Sequence, residues 1–346
     1  MSRRILSSIG TCAVVIACAV TVAGQTPTTP QKTPAAAKSG KMVRTPWGDP
    51  DLQGIWTGST LTPLERPKEF AGKEFLTEEE AARLEKRALA NQVDRAPSPG
   101  DPGTYNQIWL DPSSKVLPGR RTSLIVDPPD GRLPFTPEGQ KAQTRSRARY
   151  GKGPYNSWLD LDTGERCITD GPPIYFGGYN NNYQIIQAPG YVAVVHEMYS
   201  EPRIIPLDGR PHTNIPRLTG DVRGRWEGET LVVESTNFPD KKDWEWQDAW
   251  RAVRSTTRLV ERFTRVDAET IDYQFTWQDP VMFTRPWTAA YPLTSNQASR
   301  GVTVGRLFEY ACHEGNYGLA NVLHGAREQE KAAEEGAEKE SSRPTK

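Results

Sequence analysis

The sequence predicts a mainly β protein, an antiparallel meander closing into a lipocalin-like barrel (or a sandwich) with a few peripheral helices. Three observations carry this expectation. Apolar and polar residues alternate with period two over much of the chain, tight turns separate the alternating runs, and 29 Gly with 29 Pro among 346 residues suit a turn-rich sheet better than a helical bundle. Closure is expected because about ten strands in an open sheet would leave exposed edges.

Taken in order, strands are expected at residues 53–58, 106–110 and 122–127, followed by a hairpin in which 182–187 and 191–198 flank Ala188-Pro189-Gly190. A strand at 202–206 precedes a second hairpin, 223–227 with 230–236, turning at Gly228. The clearest hairpin joins 258–266 to 270–278. Period two puts Leu259, Glu261, Phe263 and Arg265 on one face of its first strand, and Ile271, Tyr273, Phe275 and Trp277 on one face of its second. Strands at 287–293 and 306–311 complete the set. Thr77 with Glu80 has capping-box spacing and opens a helix through EEEAARLEKRALAN, Thr136-Pro137-Glu138 opens another, and a third is expected from Tyr317 to Glu330.

Residues 1–24 have the layout of an export signal, with Arg3 and Arg4 ahead of a mostly apolar run. Cleavage near Gln25 is expected, which makes the protein exported, periplasmic or secreted, with a lipoprotein anchored at Cys18 as the alternative. Residues 25–45 are expected to be a disordered tether, 46–326 a single β-rich domain and 327–346 a charged disordered tail. Two cysteines remain in the mature chain, Cys167 and Cys312. In an exported protein they are most simply a disulfide, two separate buried thiols being the alternative.

Lys and Arg number 43, as do Asp and Glu, and no dense basic patch occurs, which argues against nucleic acid as a partner. Membrane contact is expected only through the lipid anchor, and the sequence sets no oligomeric state. Phosphate-loop, dinucleotide-binding and nucleophile-elbow spacings do not occur, and no cofactor is expected. Of the four histidines, His196 and His313 each stand beside a glutamate, but neither pair extends to the His-Glu-x-x-His spacing, and His212 and His324 stand alone. A metal site would have to be assembled from distant elements, so no metal ligands are assigned. Asp160 to Glu165 lacks the twelve-residue frame of a calcium loop and reads as a turn.

The segment YFGGYNNNYQI is more informative. Gly177-Gly178 admits close backbone approach, and Tyr179, Asn180, Asn181, Asn182 and Tyr183 put polar-tipped groups at the start of a strand; an Asn-rich turn that satisfies its own backbone is the alternative. CHEGNYG offers His313, Glu314, Asn316 and Tyr317, and a Cys167–Cys312 bond would draw it toward the first cluster. Glu261 sets a carboxylate on an apolar face, either as a poised acid or in a structural pair with Arg265 or Arg285. Trp244, Trp246 and Trp250 lie among acidic residues and offer faces for a sugar ring or planar ligand, or else staple a short helix to the barrel.

From about Pro50 to Ala326 the phrases PDLQGIW, ERCITDGPP, YNNNYQI, GRWEGETLVVESTNF, LVERFTRVDAETIDYQF and CHEGNYGL resemble those of a large family of exported bacterial proteins usually labelled hypothetical. The resemblance implies export and a single folded unit, and no reaction. Residues 239–256 are longer and richer in Trp than that pattern, so a lid or binding loop there would be particular to this chain. Gly54-Ile55-Trp56 resembles the opening of lipocalin-like barrels, which implies an internal pocket for a small apolar or amphipathic ligand.

The leading expectation is an exported barrel that binds a small organic molecule, carbohydrate or aromatic, in or over the barrel. Its ligand residues would be Tyr179, Asn181, Tyr183, Asn316, Tyr317 and Trp246. The alternative is a cofactor-free lyase, isomerase or hydrolase with His313 or His196 as base and Glu261 or Glu314 as acid. A third reading is an envelope interaction module that uses the Trp-rich loop. The sequence does not decide whether the protein is an enzyme.

Overall fold

Alternation becomes sheet. The strands are β1 (Gly54–Thr57), β2 (Ile125–Asp127), β3 (Asn182–Ala188), β4 (Tyr191–His196), β5 (Pro202–Pro206), β6 (Asp221–Glu227), β7 (Thr230–Thr236), β8 (Arg258–Arg265), β9 (Thr270–Gln278) and β10 (Trp287–Thr294). The helices are α1 (Glu78–Asn91), α2 (Pro137–Arg149) and α3 (Gly318–Ser341). This computed structural model describes residues 43–94, 110–149, 153–200, 202–240, 249–313 and 317–341. The expected export signal with Cys18, most of the expected tether, residues 106–109, Trp244, Trp246, Glu314 and Asn316 lie outside them. Among the described residues no helix is long and apolar enough to cross a membrane.

Helix α1 begins where its cap dictates. The Thr77 hydroxyl accepts from the Glu80 N–H and the Glu80 carboxylate accepts from the Thr77 N–H, which satisfies two donors of the first turn. Helix α3 runs on past Glu330 into residues whose composition suggested a solvated tail; Ala, Glu and Lys there are strong helix formers even with their side chains exposed. No strand forms at 306–311. The N–H of Phe308 is taken by the Glu197 carboxylate (2.6 Å) and does not enter a ladder.

From β1 the sheet continues through β3, β4 and β5 on one side and through β10, β9, β8, β7 and β6 on the other, every neighbouring pair antiparallel, while β2 pairs with β10 off this path. Strands β5 and β6 then lie side by side, so the nine-strand meander is a barrel closed at all but one ladder. With an odd number of alternating strands the two at the seam point the same way, so that a ladder between them would have to be parallel, and none forms there. Side chains fill the seam instead. Gly224 makes room for them, because a Cβ there would lie 2.6 Å from Ile205 Cγ2 and from Leu207 Cδ2.

The inner face is the one the alternation assigned. Leu259, Glu261 and Phe263 pair across the ladder with Trp277, Phe275 and Tyr273, which pair in turn with Trp287, Ala289 and Tyr291. All nine are buried. Trp250, from a short 3-10 turn at Ala249–Arg251, packs edge to face on Trp277 and Trp287, at 5.9 and 5.5 Å between centroids. Trp56 of the Gly-Ile-Trp opening is buried, with the Arg265 guanidinium 5.4 Å above its ring. The interior is thus packed with side chains, and a small void of about 20 Å³ beside Ile174, Tyr183 and Arg203 has the room of a single water.

One ion pair sits inside. Arg203 Nη1 and Nη2 donate to Glu261 Oε2 and Oε1 at 2.5 and 3.0 Å, and Tyr273 Oη donates to Glu261 Oε1 at 2.7 Å. The partner of Glu261 is therefore Arg203, not Arg265 or Arg285. Arg265 instead bonds carbonyls of Asp51, Asp267 and Ala268, and Arg285 pairs with Asp127 at the surface. Removing one member of such a pair leaves a buried charge, whereas removing both leaves a packing problem only. Arg203→Met is expected to lower stability by about 3–5 kcal/mol, and Arg203→Met with Glu261→Leu to recover much of that, as read from urea unfolding.

Candidate ligand-binding site

The site is built on loops at one mouth of the barrel. Asn182 begins β3 and His196 ends β4; around them stand the turn at 162–170, the segment 175–181, Met198 and Tyr199, Arg251, and the stretch that carries Tyr310 and Cys312. Together they enclose a cavity of about 480 Å³. That is the scale of small-molecule sites.

Several fastenings bring these distant segments to one place. Cys167 and Cys312 form a disulfide with Cα atoms 5.6 Å apart, as the cysteine count anticipated. Glu197, next to His196 but turned away from it, accepts from Asn182 N and Nδ2 (both 3.1 Å) and from Phe308 N, which ties the C-terminal stretch to the β3–β4 hairpin. Arg251, placed by the buried Trp250 beside it, donates to both carboxylate oxygens of Asp170 (3.0 and 3.3 Å) and to its carbonyl (2.6 Å). The 162–170 turn is held by reciprocal bonds: Asp162 Oδ1 accepts from Glu165 N and Glu165 Oε2 accepts from Asp162 N, at 2.7 and 3.0 Å.

Backbone strain gathers here. Five non-glycine described residues adopt left-handed φ; of these Tyr199 lines the cavity, Cys167 is bonded to the lining Cys312, and Asn180 lies between the lining Tyr179 and Asn181. For a residue as bulky as tyrosine this conformation is costly and persists only where surrounding contacts impose it. At Tyr199 (φ 63°) it accompanies a phenol that hydrogen-bonds with Tyr310. Gly164 is required for that approach. A Cβ at 164 would sit 2.9 Å from Tyr199 Oη and 3.2 Å from Asp162 Oδ1.

Of the residues singled out from sequence, Tyr179, Asn181 and His196 line the cavity. Asn181 spends its amide on its own loop, accepting from Gly177 N and donating to Gly177 O. Tyr183 lies behind, its ring stacked 4.2 Å from that of His196 and its hydroxyl bonded to both backbone groups of Tyr175. Glu261 is fully buried within the barrel, and His313 and Tyr317 (73% exposed) stand outside the cavity lining. Asp162, Glu165, Asp170, Tyr199, Arg251 and Tyr310 were missed. The nearest sequence signals were the Asp-Thr-Gly turn and the cysteine that follows it.

The protonation states are unusual in opposite directions. Burial, with help from Arg251 and Arg203, lowers His196 to about 4 against the opposing pull of Asp170 and of a hydrogen bond to the Asn180 backbone, so its ring is neutral at ordinary pH. Burial pushes the Asp162 carboxyl up to about 6, and Glu165 and Asp170 push the same way, while the N–H groups of Glu165 and Gly164 oppose them. Burial likewise raises the Tyr199 phenol, with Tyr310 and Asp170 adding to the effect. Among the described residues no three His, Cys, Asp or Glu side chains are grouped to hold a metal ion.

Compared with protein-family models, curated proteins and solved structures, the chain matches none. The reading of the site therefore rests on its own geometry.

The two shifted groups act on stability with opposite signs. Asp162, raised from 3.8, contributes stability that is complete below pH 3.8 and lost as pH rises through about 6; His196, lowered from 6.5, contributes stability present above 6.5 and lost as pH falls through about 4. Relative to wild type, His196→Gln is expected to gain stability on acidification from pH 7 to 4 and Asp162→Asn to lose it, read as urea midpoints across that range. Loss of the disulfide in Cys167→Ser/Cys312→Ser should cost about 2–5 kcal/mol in the same assay, since it closes a long loop.

Proposed function

We propose that the protein is an exported small-molecule-binding β-barrel whose ligand sits over the barrel, in the cavity at its mouth. The observation that carries this reading is the contrast between the two places a ligand could occupy: the interior is filled by packed aromatic side chains, whereas the mouth holds about 480 Å³ between Tyr, Phe and His rings and a few polar groups. Export is supported by the disulfide, since such bonds persist in oxidising compartments, and by the expected signal. The ligand is a small organic molecule with a flat or ring-shaped face to lie against the tyrosines and groups that hydrogen-bond at its edge.

Gly177 provides the test. A Cβ there meets nothing within 4 Å, so Gly177→Phe should fill the cavity without disturbing the fold. Native mass spectrometry of the exported protein is expected to show a retained organic molecule that Gly177→Phe loses. Equal retention in both proteins would place the ligand elsewhere.

A second reading, acid–base catalysis on the bound molecule, is favoured by one observation: the Asp162 carboxyl, pushed up to about 6 by burial, faces the cavity across Gly164 from the Tyr199 hydroxyl, which hydrogen-bonds with Tyr310. Here the acid is Asp162, and the neutral His196 is a hydrogen-bonding group. Turnover of the retained molecule should fall at least about a hundredfold in Asp162→Asn. Turnover unchanged in that variant would remove the enzymatic reading and leave binding intact.

A further inference from the structure

We infer that the barrel-mouth cavity selects an organic cation, an alkylated ammonium group carried on a small molecule, over neutral or anionic molecules of the same shape. The inference rests on the cavity being the ligand site and adds the charge of what enters it.

The charges on the lining are unbalanced. Asp162, Glu165 and Asp170 supply three carboxylates against one guanidinium, that of Arg251, and the His196 ring is neutral. Arg251 is already committed to Asp170 through both of its carboxylate oxygens. The neighbouring Arg166 is not on the lining and makes no ion pair with Asp162: its Nε donates to the Asp162 carbonyl at 3.1 Å, its buried Nη atoms bond no protein group, and its guanidinium lies 5.2 Å over the Trp158 ring. Among the described residues, then, neither Asp162 nor Glu165 has an ion-pair partner. Asp162 is nonetheless 7% exposed. Two carboxylates crowded together with little water repel one another, and a cation entering beside them relieves that repulsion while an anion compounds it.

The rest of the lining fits a diffuse cation better than a compact one. Tyr175, Phe176, Tyr179, Tyr199 and Tyr310 present aromatic surface, with Tyr199 and Tyr310 at right angles, 4.9 Å between centroids, forming a corner. Ring faces attract alkylated ammonium groups, which shed water cheaply. This wall already does so within the protein, since the Arg251 guanidinium lies 5.7 Å over the Tyr175 ring. A metal ion would need convergent oxygen ligands, and no such grouping exists among the described residues.

Choline and its uncharged isostere 3,3-dimethylbutanol separate charge from shape. In titration calorimetry at pH 7 with the full exported protein, choline or benzyltrimethylammonium is expected to bind at least about tenfold more tightly than the isostere or benzenesulfonate. Asp162→Asn and, independently, Glu165→Gln should each cut that preference severalfold, and Tyr310→Leu should weaken the cations most. Lowering the pH to 5 should weaken them too, because a proton then occupies Asp162 while His196 stays neutral; Glu165, the Asp170–Arg251 pair and the four tyrosines Tyr175, Tyr179, Tyr199 and Tyr310 complete the groups that line the cavity.

Equal binding of choline and its isostere overturns the inference, as does a preference that survives the double variant Asp162→Asn/Glu165→Gln. Failure of both ammonium probes to bind overturns it as well. If methyl glucoside or benzenesulfonate binds instead and Gly177→Phe abolishes that binding, the cation inference falls while the cavity stands as the site. Cation binding that Gly177→Phe leaves unchanged puts the fault in the choice of site.

Discussion

Dense aromatic packing inside the barrel is the constraint on which the rest of the molecule depends. Tyr273, Phe275, Trp277, Trp287 and Tyr291 come from adjacent strands, and Trp250 reaches in from a loop to lie against three of them. Their burial supplies much of the apolar surface removed from water, the main favourable contribution to folding. It also uses up the space in which a barrel of this kind would hold a ligand. What remains for binding is the mouth, where loops rather than strands set the geometry.

Loops are poor scaffolds unless they are fastened, and here each fastening uses a different kind of bond. The disulfide joins two segments far apart in sequence, Glu197 accepts backbone N–H groups from Asn182 and Phe308 and so ties the C-terminal stretch to the β3–β4 hairpin, and the Asp170–Arg251 pair holds the turn to the barrel. The left-handed backbone at Cys167, Asn180 and Tyr199 shows that these contacts outweigh local preference. The same enclosure that holds the loops removes water from them, which is why an acid and a base only a few residues or one hairpin away titrate so far from their ordinary ranges.

The buried Arg203–Glu261 pair illustrates how far local pattern carries. Alternation along β8 assigned Glu261 to the apolar face, and the face is right. Its partner could not be read the same way. Arg203 sits 58 residues earlier on β5, across the barrel, and reaches Glu261 only because the meander curls round until β5 meets β6. Arg265, on the same strand as Glu261, was nearer in sequence and is spent on turn carbonyls.

By itself the sequence determined what depends on neighbours along the chain. The Thr77 cap sets the start of α1, period two sets the inner faces of β8 and β9, Gly-containing turns set the hairpins, and two cysteines outside the apolar N-terminal run made Cys167–Cys312 the simplest disulfide. These follow from hydrogen bonds and side-chain directions repeated within a few residues. The tertiary structure alone decided that residues 306–311 serve as a strap and not a strand, that His313 stays outside, and that Asp162, Tyr199, Arg251 and Tyr310 meet in one cavity. Closure of the sheet brings those residues together from four separate segments, and no periodicity along the chain records a distance that exists only after the ends of the meander have met.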